Sequence, residues 1–187
     1  MSEVKTNKIS PSAGTTLTLG DAGDTITTAG TVSGFGSNTP AFYAYAGSSQ
    51  APSNSTWTKI TVITTESFDT DSAYDTSTQR FTVPTGKAGK YYFSAANTAA
   101  AGSVSQMYTN KIAFRLNGAV TNLVETTNDG RNSAFYRWTT NIDAILDLSV
   151  GDYIEVWGFT TLTTGSVSWI FDDAAQGIRF HGYKLIM

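Results

Sequence analysis

Apolar and polar residues alternate along most of this chain, and the alternation is interrupted at short intervals by glycine, proline, asparagine and aspartate. A two-residue period places one face of an extended segment against a core and the other against solvent or a partner. From Ala41 onward it predicts strands near Ala41–Ala46, Lys59–Thr64, Arg80–Val83, Lys90–Ala96, Lys111–Leu116, Ala119–Thr126, Phe135–Leu148, Asp152–Thr160, Val167–Phe171 and Ile178–Ile186. The Phe135–Leu148 segment is long enough for one strand or two. Helical spacing is scarce: AANTAAAGS at 95–103 is the Ala-rich candidate, and Asn97, Gly102 and nearby Ser105 favour a loop or strand edge there.

The turns are as legible as the strands. In FTVPTGKAGKYYF, Phe81 to Phe93, Pro84 cannot donate to a ladder, while Gly86 and Gly89 tolerate positive φ, so a turn is fixed between two buried strands. Asn117-Gly118 lies between KIAFRL and AVTNLV and is the strongest hairpin signal in the chain. Gly151-Asp152 marks a similar turn between AILDLSV and YIEVW. Strands joined by turns, with no helices for crossovers, exclude a parallel sheet and predict an antiparallel sandwich or jelly roll.

The first 36 residues differ. They are rich in Thr, Gly, Ala and Ser, with isolated aliphatics at Leu17, Leu19, Ile26 and Val32. TLTLGDAGDTIT has strand–turn–strand patterning but too few aliphatics to bury an inner face of its own, so it orders against a partner or stays a flexible tail. The division expected is an N-terminal anchor or neck at 1–36 and a head domain at 37–187.

Composition narrows the function classes. Only 14% of the 187 residues are charged, against about 25% in average soluble proteins. A net charge of −3 with scattered Lys and Arg gives no basic surface for nucleic acid. Without cysteine there is neither a disulfide frame nor a thiolate metal site. No apolar run is long enough for a membrane-spanning helix, so no membrane insertion is expected. The polar opening MSEVKTNKIS, followed by no apolar stretch, predicts a chain without a cleaved export peptide, made in a host cytoplasm and released by lysis or inside a particle.

In order along the chain, AFYAY, KITV, FDTDSAYDTSTQRFTVPTGKAGKYYF, KIAFRLNG, LDLSVGDYIEVW and the closing FHGYKLIM resemble the landmarks of the globular head of complement's first component and the related tumour necrosis factor family. The resemblance covers most of residues 41–187. It implies an all-β, ten-stranded antiparallel jelly roll that assembles as a homotrimer, with buried positions at Phe42, Phe81, Val83, Tyr91, Phe93, Phe114, Leu116, Leu148, Ile154, Val156, Phe180, Gly182 and Leu185. The N-terminal segment instead resembles the TLTLGxxGDTIT stretches of bacteriophage virion fibre and tail proteins. Together the two resemblances imply a non-enzymatic virion structural protein at the particle surface: a fibre, spike or decoration. Leu17, Leu19, Ile26 and Val32 would dock on capsid or tail proteins, and the head would be displayed for attachment to a host-surface glycan. The alternative is a secreted cytokine-like or complement-like trimeric ligand for a protein receptor.

Candidate chemistry is sparse. His181 is the single histidine and no G-x-S-x-G elbow accompanies it, so a core or interface position is the expectation. Asp143, Asp147 and Asp152 are explained by strand alternation and a turn, and no catalytic residues are assigned. Asp69, Asp71 and Asp75 offer closely spaced oxygen ligands for calcium without the glycine and glutamate of an EF-hand loop, and a solvated acidic loop is the simpler reading. Asp172-Asp173 is a weaker case of the same kind. No other cofactor is expected. Asn54-Ser55-Thr56 fits a glycosylation sequon, and with no export route expected it is read as coincidence. Among the large aromatics, Trp57, Trp138, Trp157 and Trp169 suit sugar stacking or burial, and Tyr136, Trp138 and Tyr153 are assigned to assembly.

Overall fold

The computed structural model describes Thr25 and residues 38–101, 107–130, 135–170 and 177–186. All of these except Thr25 belong to one unit, Ser37–Met187. Leu17, Leu19, Ile26 and Val32 lie outside the described residues, as does Asp172-Asp173.

The described residues are all-β. Twelve strands form, in chain order: β1 (Ala41–Ala46), β2 (Thr58–Lys59), β3 (Ile63–Asp69), β4 (Tyr74–Asp75), β5 (Arg80–Thr82), β6 (Gly89–Ala101), β7 (Met107–Leu116), β8 (Val124–Asp129), β9 (Arg137–Leu148), β10 (Tyr153–Leu162), β11 (Val167–Trp169) and β12 (Arg179–Lys184). They make two antiparallel six-stranded sheets. In the first, β9 pairs with one edge of β6, β12 and β11 share its other edge, and β1 and β3 follow beyond β12. In the second, β10 pairs with β7 on one edge and with β5 and β2 on the other, β4 extends β5 and β8 extends β7. This is the antiparallel sandwich that the alternation predicts and the jelly roll that the resemblance implies. It has twelve strands among the described residues in place of ten, because β2 and β4 are two-residue additions at its edges.

The core between the sheets is a cluster of rings from alternate strand positions. Phe93 lies within 5.1 to 6.5 Å of Phe42, Phe81, Tyr91, Phe114 and Phe180, centroid to centroid. All six are fully buried. Their edge-on and offset packing suits the ring quadrupoles. Leu148, Ile154 and Val156 close the same layer.

Turn chemistry agrees with the sequence. Gly86 and Gly89 both have positive φ, 77° and 138°, and Asn117 and Gly118 follow with 53° and 69°. Asn117 also ties two hairpins together: its Nδ2 donates to Asp152 Oδ1 at 2.7 Å, and its Oδ1 accepts from the Tyr153 amide at 2.9 Å.

Three strand predictions shift. The Lys59–Thr64 segment is divided between the sheets, because Lys59 pairs with Trp157 in the second while Ile63 pairs with Ala46 in the first, with Ile60 buried between them. Ala119–Leu123 forms the tip of the hairpin, closed by Ala119 N donating to Leu116 O at 3.0 Å, so β8 starts later. The Ala-rich segment is the interior of β6, neither loop nor edge. Ala95 to Ala101, Asn97 and Thr98 included, are buried on both faces, and strands flank both edges.

Candidate functional site

With the core filled from inside, the outer faces of the two sheets are the surfaces these strands leave for function. The outer face of the first sheet is aromatic. In AFYAYA the residues out of phase with Phe42 and Ala44 are Tyr43 and Tyr45, and the same holds for Tyr92 in β6 and Tyr183 in β12. Register brings them into rows, with Phe68, Tyr43, His181, Ser94 and Asp143 opposed along one and Tyr183, Tyr92 and Ile145 along the next. Tyr43 stacks on His181 at 5.4 Å, and Tyr92 meets Tyr183 at 5.4 Å. Phe68 and Ile145 are 51% and 63% exposed at the ends of these rows. A sheet with one face already against a core ordinarily turns polar residues outward; here rings hold the middle of the face, with Ser94, Asp143 and the Lys90–Asp147 pair toward β9.

His181 sits in the middle of that face. Burial, then the charge of Arg179, holds its pKa below the ordinary imidazole value, so it is neutral at pH 7. Its Nδ1 is sealed from water without a hydrogen-bond partner.

The outer face of the second sheet is built differently, as a row of aromatic and charged residues on β10: Tyr153, Glu155, Trp157 and Phe159. Glu155 is only 2% exposed although it points away from the core. Its Oε1 accepts from Lys59 Nζ at 2.6 Å and Arg80 Nε at 2.7 Å, and its Oε2 accepts from Trp157 Nε1 at 3.1 Å. Arg80 also lies over the Tyr153 ring, 4.3 Å from its centroid. Beside them the Arg115 guanidinium stacks on Trp157 at 3.9 Å and faces Trp57 at 5.6 Å. Asn122 links it to Glu125, and Glu125 to Lys111.

Burial pushes the Glu155 pKa up, but the hydrogen bonds from Lys59, Arg80 and Trp157 outweigh it and the net shift is downward from 4.5. A depressed carboxylate stabilises the fold above its unfolded pKa and loses that contribution as pH falls through its own lower value. Glu155→Gln is therefore expected to lower stability by about 2 kcal/mol at pH 7, read from the denaturant midpoint. The difference from wild type should shrink as pH falls below 4.5 and be lost once it has passed the lowered value.

No family model and no curated protein sequence matches the chain. Solved structures do. The globular domain of zebrafish complement 1qA protein superposes on 79% of this chain and 98% of its own, with a TM-score of 0.54 and 15% identity. Eiger TNF from S. frugiperda covers 78% and 92%, with a TM-score of 0.53 and 13% identity. The chain has the jelly-roll fold of these proteins. At such identities the likeness is one of fold, and site residues are argued from this jelly roll alone.

Within the jelly roll, Phe42, Phe81, Tyr91, Phe93, Phe114 and Phe180 belong to the core of a single protomer. The other three residues assigned to assembly are not brought together. Tyr136 is 52% exposed before β9, Trp138 packs on Phe135 with ring centroids 4.3 Å apart, and Tyr153 lies on the second sheet under Arg80. Tyr43, Tyr45, Tyr92 and Tyr183 were not singled out by the sequence reading. Their signal was present, since AFYAYA and KYYF carry rings in both phases of the alternation.

The acidic loop does not gather its carboxylates. Asp69 accepts from the amides of Asp71 and Tyr74, Asp71 pairs with Lys87 at 3.3 Å, and Asp75 accepts from Ser77 and Thr78. The Ser77 and Thr78 hydroxyls hold the Asp75 pKa down to about 2. Among the described residues no three acidic or histidine side chains converge to hold a metal ion. Asp147 pairs with Lys90 on the first sheet, whereas Asp152 accepts from Asn117 and the Ser149 amide at a turn. Asn54 of the sequon bridges to β10 by donating to Leu162 O and accepting from Leu162 N.

Proposed function

We propose that this chain is a non-enzymatic virion structural protein whose jelly-roll heads associate as a homotrimer through the outer face of the first sheet. The observation that carries this reading is that face: four tyrosines and a neutral histidine, flanked by exposed Phe68 and Ile145, on a sheet whose inner side is already filled. Such a surface is stabilised by a second copy that excludes water from it. Residues 1–36 form the anchor, docked on capsid or tail proteins through Leu17, Leu19, Ile26 and Val32, and the head at 37–187 is displayed outward as a fibre, spike or decoration. In this reading the protein is made in the host cytoplasm and leaves with the particle.

The fibre-like leader supports a virion role over a secreted cytokine-like or complement-like ligand. Catalysis has little support. His181 stacks on Tyr43, and Asp143, Asp147 and Asp152 lie at separate positions of a strand face and a turn. Display on the particle surface serves attachment to the host. Particles assembled from this gene and its genomic neighbours, probed with an antibody against the head, are expected to label on their surface. Head protein found only in the soluble fraction would contradict the virion reading.

A further inference from the structure

Arg115 on β7 is a buried cation without a carboxylate of its own. It is 6% exposed. Its register partner across the sheet is Glu155, but both oxygens of that carboxylate are taken by Lys59, Arg80 and Trp157. Nε of Arg115 donates to Asn122 Oδ1 at 2.9 Å. The two terminal amines make no hydrogen bond among the described residues. The residue keeps 6% of its surface open, beside Trp57 and Trp157. Burial lowers the Arg115 pKa, with the charge of Glu155 opposing, which marks a charge short of compensation.

The surroundings define what would compensate it. Lys59, Arg80, Lys111 and Arg115 stand against Glu125, Glu155 and, beside Arg80, Asp75, one more cation than anions on this patch of a chain whose net charge is −3. A guanidinium presents parallel N–H groups to a planar acceptor, which suits a carboxylate. Trp57 and Trp157 are half-buried, and Trp57 rests on Phe159 at 5.5 Å. The Arg115 guanidinium covers one face of Trp157 at 3.9 Å, so Trp57, farther from it at 5.6 Å, is the ring that suits the flat C–H surface of a sugar.

We propose that Trp57, Arg115 and Trp157 form a binding site for an acidic saccharide, the carboxylate of a uronic or ulosonic sugar bridging the Arg115 amines and its ring lying against Trp57. The site rests on the attachment reading above and gives that reading a ligand class. A peptide carboxylate would use the guanidinium but leave the Trp57 face idle, so the saccharide is favoured.

The test titrates the full-length protein with an oligouronate and its carboxyl-reduced counterpart, and with sialyllactose and lactose, following tryptophan fluorescence. One acidic probe at least should bind saturably, and its neutral counterpart about ten- to a hundredfold more weakly. Arg115→Lys keeps the charge but loses the paired amines and should weaken binding by a similar factor. Trp57→Ala, in the loop before β2, should weaken it while the head keeps a cooperative melting transition and its trimer mass, which separates binding from folding. Equal binding of acidic and neutral probes overturns the proposal, as does unchanged binding by both variants or preference for an oligoglutamate peptide. If neither acidic probe binds while the heads remain trimeric and label on particles, this site falls and the structural role stands.

Discussion

Gly182→Ala is expected to lower the melting temperature of the head by roughly 10 °C or more, an effect of about 3 kcal/mol or more. Gly182 lies in β12, opposite Phe42 on one side and Phe93 on the other. A Cβ there would come 2.5 Å from Phe93 Cδ1 and 2.7 Å from the carbonyl oxygen of Tyr92. The ring cannot retreat, because Phe42, Phe81, Tyr91, Phe114 and Phe180 surround it. The carbonyl belongs to the ladder between β6 and β12. Relief would require the two strands to part, and calorimetry of the single variant reads the cost directly.

The second large effect is truncation of the ring at the centre of that cluster. Phe93→Ala should cost about 3–5 kcal/mol, because neighbours on both sheets hold the cavity open. Phe93→Leu should cost about 1.5 kcal/mol or less. The two sites are coupled. Since part of the Gly182→Ala strain falls on the Phe93 ring, Phe93→Leu combined with Gly182→Ala should be less destabilising than the sum by about 1 kcal/mol. The remainder reflects the Tyr92 carbonyl, which a change at Phe93 leaves in place. Strict additivity in the double-mutant cycle would show that the backbone clash alone matters.

Most of the fold was legible because strand alternation and turn chemistry are local. AFYAYA, KYYF and the Asn117-Gly118 hairpin each specify their geometry within a few residues, and each forms as read. The misplaced boundaries depend on distant partners. Nothing near Lys59 says that it pairs with Trp157 while Ile63 pairs with Ala46. Likewise the alanines of β6 read as an edge until strands are known to flank both sides. The candidate sites were less legible for the same reason: Arg115, Trp57 and Trp157 come from three segments, and only sheet register brings them together. The aromatic outer face was visible as rings in both phases of the strands, but a sequence does not say which phase faces inward.

That face is also where the account is most exposed to test. Native mass measurement of the full chain at micromolar concentration, alongside Tyr92→Glu, addresses it directly. Tyr92 packs on Tyr183 at 5.4 Å outside the core, so a charge there should spare the protomer and break the assembly. The predicted result is a wild-type species of three times 20.0 kDa and a folded monomer for the variant. A folded wild-type monomer, with its tyrosine face in water, would contradict it.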